Sequence, residues 1–154
     1  MLATSTPRMS EALPAEQMGR LMRLAREVTF PQGTRIFEEG GRADHFWIVR
    51  TGRVALDLRV PGRHSPVIDT LGFGELIGWS WMFPPYVWQL GAEAVSTVNA
   101  HELDASTVRL MCQSDPALGT AVGQWVGRVL ARRLHATRTR LLDLYAPYGV
   151  GAPL

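Results

Sequence analysis

The sequence predicts an α+β domain: short strands closed into a small barrel or jelly-roll sandwich, preceded by a short helix and followed by one long helix. Three observations carry that prediction. Between Phe30 and Leu103, apolar runs rich in Val, Ile and aromatic residues are cut by turn pairs about every eight to twelve residues, the rhythm of a sandwich or barrel. From Pro116 to about Tyr145 no further proline interrupts a helical pattern, which at ~1.5 Å per residue would reach roughly 45 Å. The chain of 154 residues, 46% of them hydrophobic, suffices for one core but not two.

Residues 1–12 read as a flexible leader and residues 13–145 as the domain. The stretch from Ser10 to Glu16 offers a helix start, and Leu13, Met18, Leu21, Met22, Leu24 and Ala25 continue it as an apolar stripe. Strands are then expected at Val28 to Phe30, before Pro31-Gln32-Gly33, and at Arg35 to Phe37, before Gly40-Gly41. Phe46 to Val49 runs to Thr51-Gly52, Val54 to Leu58 to Pro61-Gly62, and Val67 to Leu71 to Gly72-Phe73-Gly74. Two more strands are expected around Gly91 to Val95 and Asn99 to Leu103.

Asp104 is a good N-cap for a helix over Ala105 to Met111, and Asp115-Pro116 supplies the cap and first-turn residue of the final helix, residues 116–145. That helix carries two stripes. Leu118, Val122, Trp125 and Val129 form one, suited to the barrel. Val126, Leu130, Leu134, Thr137, Leu141 and Leu144 form the other, whose near-heptad spacing invites the same helix of a second copy, hence a homodimer. Gly119, Gly123 and Gly127 recur every fourth residue, as a packing groove or as the chance of a Gly-rich chain. Residues 146–154 read as a tail.

Composition excludes several function classes. The 16 basic residues are all Arg and face 14 acidic ones, and a net charge of +2 does not by itself imply nucleic acid. Cys112 stands alone, which excludes internal disulfides and Cys-cluster metal sites, and it reads as a small buried apolar residue. His45, His64, His101 and His135 show no paired spacing and read as surface histidines. No apolar run approaches the roughly 20 residues of a membrane span, and the first residues lack a hydrophobic signal core, so the expected location is cytoplasmic. A nucleophile elbow, a Walker loop and a helix-spaced His-Glu metal set are all missing, so the chain reads as a non-enzyme.

The ordered set of residues 28–40, 43–54, 71–78 and 131–137 resembles the cyclic-nucleotide-binding domain of the catabolite-activator (Crp/Fnr) superfamily. The resemblance implies a double-stranded β-helix, or jelly-roll barrel, closed on one side by a long dimerising helix. In such domains the turn after a Gly-Glu pair opens a short helix, whose N–H groups and dipole face a phosphate. Gly74, Glu75, Leu76 and Ile77 match this, with Glu75 as the counterpart of the ribose-binding Glu. The family then expects an Arg and a small hydroxyl residue for the phosphate. Trp88 and Gln89 fall at those positions, and no Arg lies between Arg63 and Arg109. Arg133 and Thr137 match family positions that face the ligand from the long helix; Arg138 and Arg53 are further substitutes for the lost charge.

The aromatic segment Trp79, Trp81, Phe83, Tyr86 and Trp88, stiffened by Pro84-Pro85, sits where the family holds its ligand. It could line a pocket for a flat effector, or fill that pocket with the chain's own rings. Two functions follow. One is a small-ligand sensor that signals through its final helix to an unidentified downstream protein, with a cyclic nucleotide or another small effector as the implied ligand and no resident cofactor assigned. The other is a dimeric scaffold with a degenerate pocket. DNA contact through the Arg-rich final helix is a weaker third, because full transcription factors of the superfamily place a helix-turn-helix domain after that helix, and only nine residues, 146–154, follow Tyr145 here.

Overall fold

The computed structural model describes residues 7–145. Eight strands form two four-stranded antiparallel sheets, which face each other as the halves of a jelly roll. One sheet has the order β1 (Arg26–Phe30), β8 (Val98–Asp104), β3 (His45–Thr51), β6 (Leu76–Ile77). The other has the order β2 (Arg35–Phe37), β7 (Gly91–Ala94), β4 (Val54–Asp57), β5 (Val67–Leu71). β8 pairs with both β1 and β3, so the last strand closes against the first. The inward residues Phe46, Ile48, Val54, Leu56, Leu71, Leu76, Val98, Ala100 and Leu103 are at most 2% exposed, which explains the alternating apolar runs.

Among the described residues four α-helices complete the domain: α1 (Met9–Ala12), α2 (Ala15–Met22), α3 (Ala105–Ser114) and α4 (Pro116–Tyr145). The expected leader is structured from Arg8 onward. Met9 donates its N–H to the Gly74 carbonyl at 2.9 Å and is buried, so residues 8–12 are part of the domain. Pro14 splits the expected leading helix into α1 and α2, because its missing N–H cannot continue a helix begun upstream. Residues 1–6 and the tail, residues 146–154, lie outside the described residues.

Asp104 caps α3 by accepting from the Thr107 N–H at 2.9 Å. Asp115 does the same for α4, accepting from the Ala117 and Leu118 N–H groups. The first half of α4 buries Leu118, Val122, Trp125, Val126 and Val129 completely. Val126 therefore belongs to the barrel-facing stripe and not to the outer one. Of the three spaced glycines, Gly119 alone has a packing reason: a Cβ there would lie 2.6 Å from the Cys112 carbonyl oxygen on α3. Gly123 and Gly127 face open space. Leu134, Leu141 and Leu144 remain exposed along the second half of the helix.

Candidate functional site

The chamber enclosed by β2, β4, β6 and α4 is where the resemblance places a ligand. Its entrance turn begins at Gly74, whose N–H donates to the Val49 carbonyl at 2.8 Å and whose backbone is covered by Arg8. Glu75 holds that turn, its carboxylate accepting weakly from the Gly72 N–H at 3.4 Å. Leu76 and Ile77 do not open a helix, contrary to the expectation above. They form β6, paired with Ile48 and Trp47 of β3, and both are fully buried. Their backbone groups serve the sheet.

The short helix comes one step later. Gly78 turns the chain with φ of 91°, and a 3₁₀ turn over Ser80–Met82 follows. The Gly-Glu pair that should precede this helix therefore falls on Gly78-Trp79, with an indole in place of the carboxylate. Two residues, and both apolar, thus stand at the positions that the resemblance assigns to charged ligand contacts: Trp79 and Trp88.

Trp88 is held by its backbone and fills the chamber with its side chain. Its N–H donates to the Gly41 carbonyl and its carbonyl accepts from the Gly40 N–H, each at 2.8 Å. The indole is 4% exposed and lies on Phe37 at a centroid separation of 3.8 Å and an interplanar angle of 9°. Trp47 closes the stack, 5.9 Å from Phe37 and 6.1 Å from Trp88, and its Nε1–H donates to Glu102. A Cβ on Gly78 would meet the Trp88 ring at 2.4 Å, so the indole occupies the space against this turn. Trp81, fully buried, stacks on Phe46 at 3.9 Å and donates to the Gly78 carbonyl. What remains between Phe37, Leu56, Gly78, Trp79, Leu90 and Arg133 is a space of about 10 Å³, room for one water at most.

Of the other aromatic residues of the segment, Trp79 edges the residual space, and Phe83 and Tyr86 do not enter it. Tyr86 lies outside with the Arg109 guanidinium 4.0 Å above its ring, and Arg109 also donates to the Trp81 carbonyl. Phe83 is exposed, and Trp79 is half-buried against it. Arg109 is a residue that sequence reasoning missed: it clamps the aromatic loop from α3, twenty-one positions beyond Trp88, and no spacing rule links the two.

Arg133 does reach the chamber from α4 and is 4% exposed. Its guanidinium donates to Asp69 on β5 at 3.1 Å and to the Leu76 carbonyl at 3.4 Å, and Arg132 forks the same carboxylate at 3.2 Å. Burial pushes Arg133 down to about 10, against the opposing pull of Asp69 and Glu75. Asp69, absent from the sequence reading, is the residue that joins the helix to the barrel. Thr137 is half-buried a turn further on; Arg138 and Arg53 are exposed, and Gln89 points outward with its amide on the Val87 carbonyl. His64 is exposed, His45, His101 and His135 are half-buried, and Cys112 is half-buried, its thiol pushed up by that burial. Among the described residues no group of three His, Cys, Asp or Glu could hold a metal. No helix among them is long and apolar enough to cross a membrane.

Comparison with known proteins agrees with this architecture. The profile of the cyclic nucleotide-binding domain matches residues 27–115. A CRP-like cAMP-activated global transcriptional regulator of Mycobacterium tuberculosis is 29% identical over 117 residues, which is 76% of this chain and 50% of the regulator. The chain thus spans about half the length of the curated relatives it matches. A solved structure from Geobacter metallireducens GS-15, assigned as cyclic nucleotide-binding, superposes with a TM-score of 0.71 at 26% identity, covering 83% of this chain and 92% of the other. The N-terminal domain of a transcriptional regulator from Streptomyces coelicolor A3(2) gives 0.63 at 29% identity, covering 82% and 87%. With more than half of its length matched, and with the barrel and long helix in place, the chain belongs to the cyclic nucleotide-binding domain family.

Proposed function

We propose that this chain is a regulatory module of that family whose nucleotide chamber is permanently occupied by its own side chains, and that it acts as a dimeric scaffold presenting α4 to a partner protein. One observation carries the reading. Trp88, at the position where the resemblance has the phosphate-binding Arg, is stacked on Phe37 at 3.8 Å and leaves about 10 Å³ of space. A cyclic nucleotide would have to expel an indole that is packed on two rings and tied at both backbone groups. It would then bring its phosphate to a chamber whose one guanidinium, Arg133, is already engaged by Asp69. Each of these costs opposes binding, and neither is offset by a charged partner left for the phosphate.

The ligand-sensor reading keeps one observation in its favour, the presence of Arg133 in the chamber wall. Calorimetry with cyclic AMP and cyclic GMP, run alongside tryptophan fluorescence, separates the two. The scaffold reading expects no saturable heat and no change in emission at millimolar nucleotide. Saturable binding that perturbs Trp88 emission and disappears in Arg133→Met overturns it.

A further inference from the structure

We propose a second site, outside the barrel, in which the C-terminal half of α4 and the β4–β5 hairpin hold a small phosphate-bearing ligand. The inference does not depend on the chamber being self-occupied. The barrel-facing stripe of α4 runs on through Arg133 and Ala136 to Arg140 and Asp143, changing from apolar to charged where the helix passes the edge of β5. Between Ile68 of β5 and the helix lies a cavity of about 190 Å³, whose polar wall is Arg132, His135, Thr139, Arg140 and Asp143.

His135 and Arg140, two residues of this wall, each carry a nitrogen, Nδ1 and Nε respectively, that is covered from solvent and has no hydrogen-bond partner among the described residues. A buried polar nitrogen left unmatched costs about 1–3 kcal/mol, so both side chains gain if a small shift turns them to a polar group brought to this wall. The cavity continues into an open groove of about 920 Å³, where Arg63, His64 and Pro66 of the hairpin loop face Arg140 and Leu144.

The donor set defines the ligand class. Arg140 and Arg63 make no ion pair among the described residues, and two imidazoles and a hydroxyl add further donors. Arg132 is engaged by Asp69, and Asp143 is the one carboxylate that would oppose an anion here. A group that only accepts, through several oxygens, and that suits a guanidinium fork is a phosphate. The apolar lining from Val60, Pro66 and Leu144 suits the organic part that carries it. Bound there, such a ligand ties the hairpin to the helix and favours the arrangement in which the two are close.

The test uses the full chain and inorganic pyrophosphate as the probe, titrated calorimetrically at ionic strength held constant with sodium chloride. Saturable binding is expected, weakened at least tenfold in Arg140→Gln and clearly in His135→Gln, with folding of each checked by circular dichroism. Arg128→Gln, an exposed arginine on the same helix, and Trp88→Phe should bind as the parent does. Absence of saturable binding overturns the proposal. So does an equal loss in Arg128→Gln, which would mean charge screening, or a loss confined to Trp88→Phe, which would move the ligand into the barrel.

Discussion

Gly78 and Trp88 fit each other at the level of single atoms. Gly78→Ala would set a methyl 2.4 Å from the indole, at a backbone φ of 91° that a side chain resists. We expect a loss of at least about 2 kcal/mol in urea denaturation, and a smaller loss when the same change is made in a Trp88→Leu background, where the clash is gone and only the backbone cost remains. The buried Arg133 depends on Asp69 in the same local way. Asp69→Asn removes one of the two carboxylates, Asp69 and Glu75, that favour the charge of a guanidinium only 4% exposed, and should cost up to about 3–5 kcal/mol by the same measurement. Arg133→Met in the Asp69→Asn background should recover part of that loss. Asp104 sets a pH window. Bonds from the Ser106 hydroxyl and the Thr107 N–H and hydroxyl hold its carboxyl at about 2, below the usual 3.8. Its folded pKa is depressed, so its contribution is complete above pH 4 and fades as the pH falls through about 2. Asp104→Ala should therefore cost about 1 kcal/mol at neutral pH and close to nothing at the acid end of that window.

At the scale of elements, what could be read from the sequence was what repeats or caps. The strand rhythm, the Asp104 cap and the uninterrupted course of α4 from Pro116 through Tyr145 follow from local chemistry, and each appears where that chemistry places it. β6 did not, because two residues are too few to show alternation, and Gly74-Glu75 mimics the Gly-Glu signature four residues too early. Only the pairing of Ile48 with Leu76 reveals which glycine turns the chain into the short helix. Asp69 and Arg109 were illegible for a related reason: each acts on a residue more than twenty positions away, and burial selects the partner. The outer stripe of α4 leads to a prediction at this scale. Leu134 is 73% exposed and Leu141 53%, on a helix whose other side is buried in the domain. Burying such a stripe against a second copy contributes about 25 cal/mol per Å² of apolar area. Leu134→Glu with Leu141→Glu should convert a dimer to a monomer in sedimentation equilibrium without lowering helix content. A parent chain that sediments as a monomer at 0.1 mM would remove the dimer from the proposed function.

For the whole molecule, on the proposed reading, the aromatic filling takes the place of an exchangeable guest, and this changes what the fold's stability rests on. In a barrel that receives a ligand, the chamber is emptied and filled without loss of the fold. Here the chamber is part of the core, since Trp88 packs with Phe37, Trp47 and Gly78 in one continuous cluster with the inner strands. Trp88→Ala should accordingly cost about 3–5 kcal/mol, as other large-to-small core changes do. The hole it leaves is lined mainly by Phe37, Trp47 and Leu56, with Arg133 at one wall, so it would be able to take an apolar guest. Free indole at millimolar concentration should then raise the thermal midpoint of Trp88→Ala and leave that of the parent unchanged, because stabilisation by a ligand requires a site in the folded state. Cyclic AMP should rescue far less than indole, since the variant restores volume while the guanidinium in the chamber wall, Arg133, stays engaged by Asp69. If both chains responded to indole alike, or if Trp88→Ala lost almost no stability, the ring at position 88 would be a movable gate, and the chamber would be a receptor after all.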